Sequence, residues 1–192
     1  MLRNKVPTDT LTTVTANDIA CRIVEEHDIK ISEAKEFVST IKKTLCELIE
    51  AGHSIQLEKL GYLNHYEKEA RIGRNPKTGE EHTISARRVV TFKKTAIDKT
   101  TAVKKVILRQ YVYIATRHPH SDDMLKTFID VIREVKEHAN TRIELRGLGV
   151  FYPSRHSSKV RRNPRTGEKA QCEERIYLQF KLSELLFNKI NP

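Results

Sequence analysis

The chain has 192 residues, 38% hydrophobic and 31% charged, with 35 Lys/Arg against 25 Asp/Glu and a formal net charge of +10. That length accommodates one large domain or two small ones, and the basic balance favours a polyanionic partner such as nucleic acid or an anionic surface. No stretch approaches the roughly 18 apolar residues of a membrane span, the opening MLRNKVPTDTLTTV has no apolar signal core, and Cys21, Cys46 and Cys172 are spaced too widely for a zinc or redox motif, so the expectation is a soluble intracellular protein with reduced thiols.

After an N-terminal tail over 1–14, Thr15 is a good N-cap for a helix whose face is Ile19, Ile23 and Val24. Ser32 is expected to cap a second helix, with Val38, Ile41, Leu45, Leu48 and Ile49 on one face and Gly52 as its stop. SIQLEKLGYLNHY, from Ser54, alternates apolar and polar and reads as a strand with Gly61 at a bend or tight turn. RIGRNPKTGE, from Arg71, is rich in turn residues, HTISARRVVTF is again strand-like, and a short helix is expected near Thr95. DKTTAVKK, residues 98–105, is too short and too poor in Gly, Ser and Pro to be a flexible linker. VKKVILRQYVYIA then reads as a helix, and SDDMLKTFIDVIREVKEHA as another with Leu125, Phe128, Ile129, Ile132 and Val135 on one face. RIELRGLGVFY is the next strand, KVRRNPRTGE the turn segment, RIYLQFKL the return strand and SELLFNKI a closing short helix.

The second half therefore repeats the first. RNPKTGE at 74–80 and RNPRTGE at 162–168 are 88 positions apart. The same offset brings Leu60-Gly61-Tyr62-Leu63 onto Leu148-Gly149-Val150-Phe151, Ile55 and Leu57 onto Ile143 and Leu145, and Phe92-Lys93 onto Phe180-Lys181. It also brings Ile19, Ile23 and Val24 onto Ile107, Tyr111 and Val112. In the second helix the apolar positions shift by about one residue, as a slip near HPHSDD would produce. Repeats at one offset imply one supersecondary unit used twice, over 15–100 and 101–192, with the copies close in space.

The turn segment lies between strands and can cap a two-stranded ribbon. Asn-Pro fixes an extended-to-turn transition, and Thr-Gly supplies a residue that tolerates positive φ. Around it stand Arg71, Arg74, Lys77, Arg87 and Arg88 in one copy, and Arg155, Lys159, Arg161, Arg162, Arg165, Lys169 and Arg175 in the other. A protruding ribbon carrying guanidinium groups suits a groove lined by phosphates. Its tip proline, rigid and without an N–H, can act as a wedge between base steps.

The two-helix start, the L-R-G-L-G-V-F string at 145–151 and the R-N-P-x-T-G-E arm resemble two fused copies of the bacterial histone-like HU and integration host factor family. That family is a standing example of minor-groove binding with inserted apolar wedges. The resemblance implies an α+β fold in which two HU-like repeats intertwine as an intramolecular pseudo-dimer, with two ribbon arms reaching round a DNA duplex. Pro76 and Pro164 would be the intercalating wedges. Arg74 and Arg162, with Asn75 and Asn163, would sit in the minor groove beside Thr78 and Thr166. Lys93, Lys181 and the arm cations would meet phosphates. The chain departs from the family pattern at Lys59, where the second copy has Gly147, and at Arg161, which replaces the glycine kept as Gly73. It departs again at Ser85-Ala86 and at Glu173-Glu174, an acidic pair on a DNA-facing ribbon. Residues 1–100 hold 17 Lys/Arg against 15 Asp/Glu and residues 101–192 hold 18 against 10, so the second copy dominates the positive field.

His118, Pro119 and His120 with Asp122 and Asp123 do not have the spacing of a standard zinc site, and read as an interhelix turn whose carboxylates favour the next helix N-terminus. No nucleophile–base grouping or phosphate-binding glycine loop points to an enzyme. The expectation is non-catalytic binding, bending and compaction of double-stranded DNA with weak sequence specificity, by a cytoplasmic, nucleoid-associated or phage-associated protein with no cofactor, metal or membrane partner. The alternatives are an HU-fold interaction or scaffold module with reduced DNA binding, a site-specific factor like integration host factor, and a homodimer formed by repeat exchange in place of a monomer.

Overall fold

A computed structural model describes residues 12–94, 104–138, 140–162, 165 and 167–192. The first repeat contains β1 (Thr12–Thr15), α1 (Ala16–His27), α2 (Ile31–Glu50), β2 (Ser54–Leu57), β3 (Gly61–Lys68), β4 (Arg71–Arg74), β5 (Glu81–Ile84) and β6 (Arg87–Lys93). The second contains β7 (Lys105–Ile107), α3 (Leu108–Thr116), α4 (Ser121–Glu137), β8 (Thr141–Leu145), β9 (Gly149–His156), β10 (Lys159–Arg162), β11 (Lys169–Cys172), β12 (Arg175–Leu182) and α5 (Glu184–Ile190). The helix expected near Thr95 lies outside the described residues.

The N-terminus of α1 is set by two local bonds: the Thr15 N–H and hydroxyl both donate to the Asp18 carboxylate, at 2.7 and 2.8 Å. The hydrogen bond from the Thr15 backbone holds the Asp18 carboxyl below the usual carboxylate range. Helix α2 begins at Ile31, so Ser32 lies inside its first turn and Lys30 holds the cap position.

Two stretches expected as strands, SIQLEKLGYLNHY with Gly61 at a bend or tight turn and RIELRGLGVFY, are hairpins. Leu57 and Gly61 face each other across the first turn, as Leu145 and Gly149 do across the second. Lys59 and Gly147 occupy the same turn position, with φ of 56° and 85°, which explains why glycine serves there in one copy and lysine is only tolerated in the other. Gly61 and Gly149 answer to space. A Cβ on Gly61 would stand 2.6 Å from the Lys93 carbonyl oxygen, and one on Gly149 2.4 Å from that of Lys181.

The repeats are interlocked by exchanged strands. The two main sheets have the orders β6-β3-β2-β7 and β1-β8-β9-β12. Each is thus completed by the strand that precedes the other repeat's first helix. β1 runs parallel to β8, from Thr12 opposite Thr141 to Thr15 opposite Glu144, and β7 runs parallel to β2, from Lys105 opposite Ser54 to Ile107 opposite Gln56. The stretch from 103 expected as pure helix therefore begins as a strand. Val106 is buried opposite Ile55 in the neighbouring sheet, and that burial overrides helical propensity.

The helical layer crosses over in the same way, with α1 against both α2 and α4, and α3 against both α4 and α2. Thr127 on α4 donates to Glu26 (2.7 Å) and meets His27 Nε2 (2.8 Å), while Arg22 reaches Glu134 (3.3 Å). One continuous core runs through both repeats, from Ile19, Ile41 and Leu63 to Phe128, Phe151 and Leu186. Burial also corrects the repeat register. Leu108 and Val112 are buried where Ile19 and Ile23 are, an offset of 89; Met124, Leu125, Phe128 and Ile132 take the places of Phe37, Val38, Ile41 and Leu45, an offset of 87. The sheets return to 88. The register therefore changes near HPHSDD, where α4 lacks the first turn of α2, and again between α4 and β8. No described helix is long and apolar enough to cross a membrane.

Candidate nucleic-acid interface

Each arm is a separate two-stranded ribbon, β4–β5 or β10–β11. Its tip is built by the repeated phrase. In the first arm the Asn75 N–H donates to the Glu80 carbonyl (2.9 Å), the Gly79 N–H to the Asn75 carbonyl (2.8 Å) and the Lys77 N–H to Asn75 Oδ1 (3.0 Å). Thr78 Oγ1 donates to the Glu80 carboxylate (3.2 Å). Asn75 and Thr78 are thus turn builders, and Pro76 and Lys77 are left exposed at the apex.

Arg74 and Arg162 have a structural duty as well. Arg74 Nε donates to the Gly79 carbonyl at 2.8 Å and Arg162 Nε to the Gly167 carbonyl at 2.9 Å, and both glycines have φ of 76°. The guanidinium lies over the glycine: an added Cβ on Gly167 would come within 3.2 Å of Arg162 Nη2. This strut joins the first and sixth residues of R-N-P-x-T-G, which is why the phrase recurs as a unit. Asn163, Pro164 and Thr166 of the second tip lie outside the described residues.

All the other proposed cations are exposed: Arg71, Arg87, Arg88 and Lys93 in the first repeat, and Arg155, Lys159, Arg161, Arg165, Lys169, Arg175 and Lys181 in the second. The arms differ in charge. Residues 71–84 hold three cations and two carboxylates, whereas residues 159–172 hold five cations and one carboxylate. The departure at Arg161 is accommodated by its neighbours. Ile84 Cδ1 would stand 2.7 Å from a Cβ on Gly73, which pairs with His82; in the second arm the corresponding residues are Cys172 and Ala170, and their smaller side chains leave room for Arg161. Glu174 of the acidic pair bonds Arg155 at 2.9 Å, and Glu67 bonds Arg88 at 3.0 Å in the first repeat. Both pairs are exposed, and such pairs contribute about 0–1 kcal/mol, so neither locks its arginine away from a phosphate.

Two arm residues were missed by reasoning from charge. Ile72 and Val160, 88 positions apart, are 72% and 64% exposed. Alternation within the ribbon was the available signal, since each shares a ribbon face with the strut arginine two residues on.

His65, on β3, is 5% exposed, and its Nε2 has no hydrogen-bond partner among the described residues. Burial, and then the nearby Arg88, lowers its pKa, while Glu67 opposes and His53 adds to the shift. The unfolded chain thus binds this proton more readily than the folded one. Stability is full above the unfolded value of about 6.5 and declines as pH falls through the window below it. We expect the melting temperature to drop between about pH 7 and pH 5, and to drop less in His65→Leu; equal slopes in thermal melts would show that His65 is not the group responsible.

Among the described residues no group of three or more His, Cys, Asp and Glu could hold a metal ion. His118 Nδ1 accepts from the His120 N–H (3.2 Å), and Asp122 is bonded by Arg109 (2.5 Å), whose guanidinium holds that carboxyl below the usual range.

The sequence profile of the family described as bacterial DNA-binding protein matches residues 14–99 and again 113–191. The chain belongs to this family. It is a tandem member of the HU and integration host factor class, a class of DNA-binding architectural proteins that catalyse no reaction. Similar proteins include integration host factor subunit alpha of Rhizobium johnstonii, 38% identical over 51% of this chain and 88% of that protein. The same subunit of Rhizobium rhizogenes is 39% identical over 48% of this chain and 82% of that protein. Among solved structures, an HU–DNA cocrystal structure from Anabaena is 28% identical, covering 42% of this chain and 87% of that one with a TM-score of 0.36.

Proposed function

We propose that this HU-class chain is a one-chain DNA-bending clamp. The observation that carries the reading is the pair of ribbon arms on one interlocked body, each with its tip arginine strutted to a left-handed glycine. The arm cations and Lys93 and Lys181 neutralise phosphates. The remaining guanidinium N–H groups of Arg74 and Arg162, with Asn75, Asn163, Thr78 and Thr166, face the minor groove, where Ile72 and Val160 lie against the sugars. Pro76 and Pro164 wedge between base steps. Smooth bending of a site costs about 1–6 kcal/mol, which the extra phosphate contacts of the bent path offset. Phosphate contacts carry no sequence information, so specificity is weak. One chain supplies both arms, so the clamp works as a monomer, associated with the nucleoid.

The test is a FRET bend assay on a short duplex. Pro76→Ala with Pro164→Ala is expected to reduce the bend strongly while weakening affinity only a few-fold. An unchanged bend would remove the wedge role, and light scattering showing two chains per duplex would favour repeat exchange between molecules. A site-specific role is supported by the name of the rhizobial relatives, integration host factor subunit alpha. It predicts that mixed-sequence competitor DNA fails to displace a preferred duplex, whereas the clamp reading predicts displacement in proportion to competitor.

A further inference from the structure

The base of the first arm is held by a side chain from the second repeat. Among the described residues β6 is an edge strand of its sheet, and the backbone groups of Arg88 that face away from β3 have no strand partner there. The side chain of Asn191, just past α5, fills that place. Its Oδ1 accepts the Arg88 N–H at 2.6 Å, and its Nδ2 donates to the Arg88 carbonyl at 3.1 Å. An amide side chain satisfying both groups of one residue acts as a one-residue extension of the sheet. Its own position is fixed. Nδ2 also donates to the Phe187 carbonyl (3.1 Å), Leu186 and Ile190 of α5 are buried, and Lys189 bonds Glu50 on α2 at 3.1 Å. Phe187 shares a cleft of about 710 Å³ with Val89 and Val90 of β6. The C-terminus of the second repeat is thereby tied to the root of the first arm.

We propose that Asn191 is a positioning residue for DNA bending: it braces β6 at Arg88 and so fixes the direction in which the first arm leaves the body. The proposal rests on the clamp reading above. The arm braced by Asn191 is the less basic of the two, so its contribution depends on being correctly aimed more than on charge.

The test uses Asn191→Leu, which keeps the side-chain shape but loses both polar groups, and Asn191→Ala, with the exposed Asn188→Ala as control. Amide exchange at Arg88 in the free protein is expected to rise by about tenfold or more in both Asn191 variants and not in the control. The FRET bend at saturating protein is expected to fall in the same two variants, with affinity changed less than about threefold and the melting temperature nearly constant. Unchanged Arg88 exchange would overturn the brace. Faster exchange with a wild-type bend would overturn its positioning role. A duplex left straight by the wild-type chain would instead overturn the clamp, and the positioning role with it, while the exchange result still reports on the brace.

Discussion

Raising salt from about 50 to about 200 mM is expected to weaken binding of a short duplex by roughly a thousand- to a hundred-thousand-fold, the loss that accompanies neutralisation of about 6–10 phosphates. The physical cause is counterion release. Each Lys or Arg seated on a phosphate frees condensed cations, and the gain shrinks as the bulk concentration of cations rises. The chain has the means, because every described arm cation is exposed. The slope is also divisible between the arms. Arg161, Arg165 and Lys169 stand on the ribbon with five cations and one carboxylate, whereas Lys77 stands on the ribbon with three and two. Replacing Arg161, Arg165 and Lys169 with Gln should flatten the plot of log affinity against log salt by about 0.9 for each phosphate that is no longer neutralised. Lys77→Gln should remove no more than one such step. Fluorescence anisotropy at four or five salt concentrations measures both. A flat response in the wild-type chain would mean that the basic ribbons do not follow a phosphate backbone, and the scaffold reading would replace the clamp.

Most of the architecture was legible because its signals are local. Asn75, Pro76 and Gly79 encode a turn by their own backbone limits, the helices show a 3.6-residue apolar period, and the 88-residue offset doubles each signal. What stayed hidden depends on partners distant in sequence. Strand β1 is four residues long, and its partner begins at Thr141. No pattern inside TTVT points there, and the Lys105–Ile107 strand was absorbed into the helix it precedes for the same reason. The register of α3 misled because Ile107 and Tyr111 look like core positions, whereas the fully buried residues are Leu108 and Val112 and Tyr111 packs against the core only half-buried. The departures from the family pattern in the second arm acquire causes only in three dimensions. Arg161 fits because Ala170 and Cys172 are small, and Glu174 is occupied by Arg155. Asn191 was invisible for a further reason: a side chain that completes a backbone ladder leaves no trace in periodicity, charge or motif.

Phe151→Ala is expected to destabilise the protein by about 3–5 kcal/mol, the usual cost of emptying a fully buried aromatic site. Phe151 is 0% exposed, with its ring centroid 4.6 Å from that of Phe180 and 6.3 Å from that of Phe92, the latter in an edge arrangement. Phe180 belongs to the same sheet, but Phe92 is on β6 of the other repeat, so the cavity would open at the junction of the two. Typical domains have only about 5–15 kcal/mol of stability, so this one change removes a large fraction of it. The fold makes the loss global. If one repeat unfolded alone, it would withdraw β1 or β7 from the sheet of the other and expose the helical faces that α1 shares with α4 and α3 with α2. Denaturant unfolding followed by circular dichroism should therefore show one transition in both wild type and Phe151→Ala, displaced to lower midpoint in the variant with the slope retained. Tyr113→Ala, at a side chain 58% exposed on α3, should stay within about 0.5 kcal/mol of wild type. A second transition appearing in Phe151→Ala would show that the first repeat survives the loss of the second. The exchanged strands would then be an attachment between two autonomous units, and the arms would have no common rigid base from which to bend a duplex.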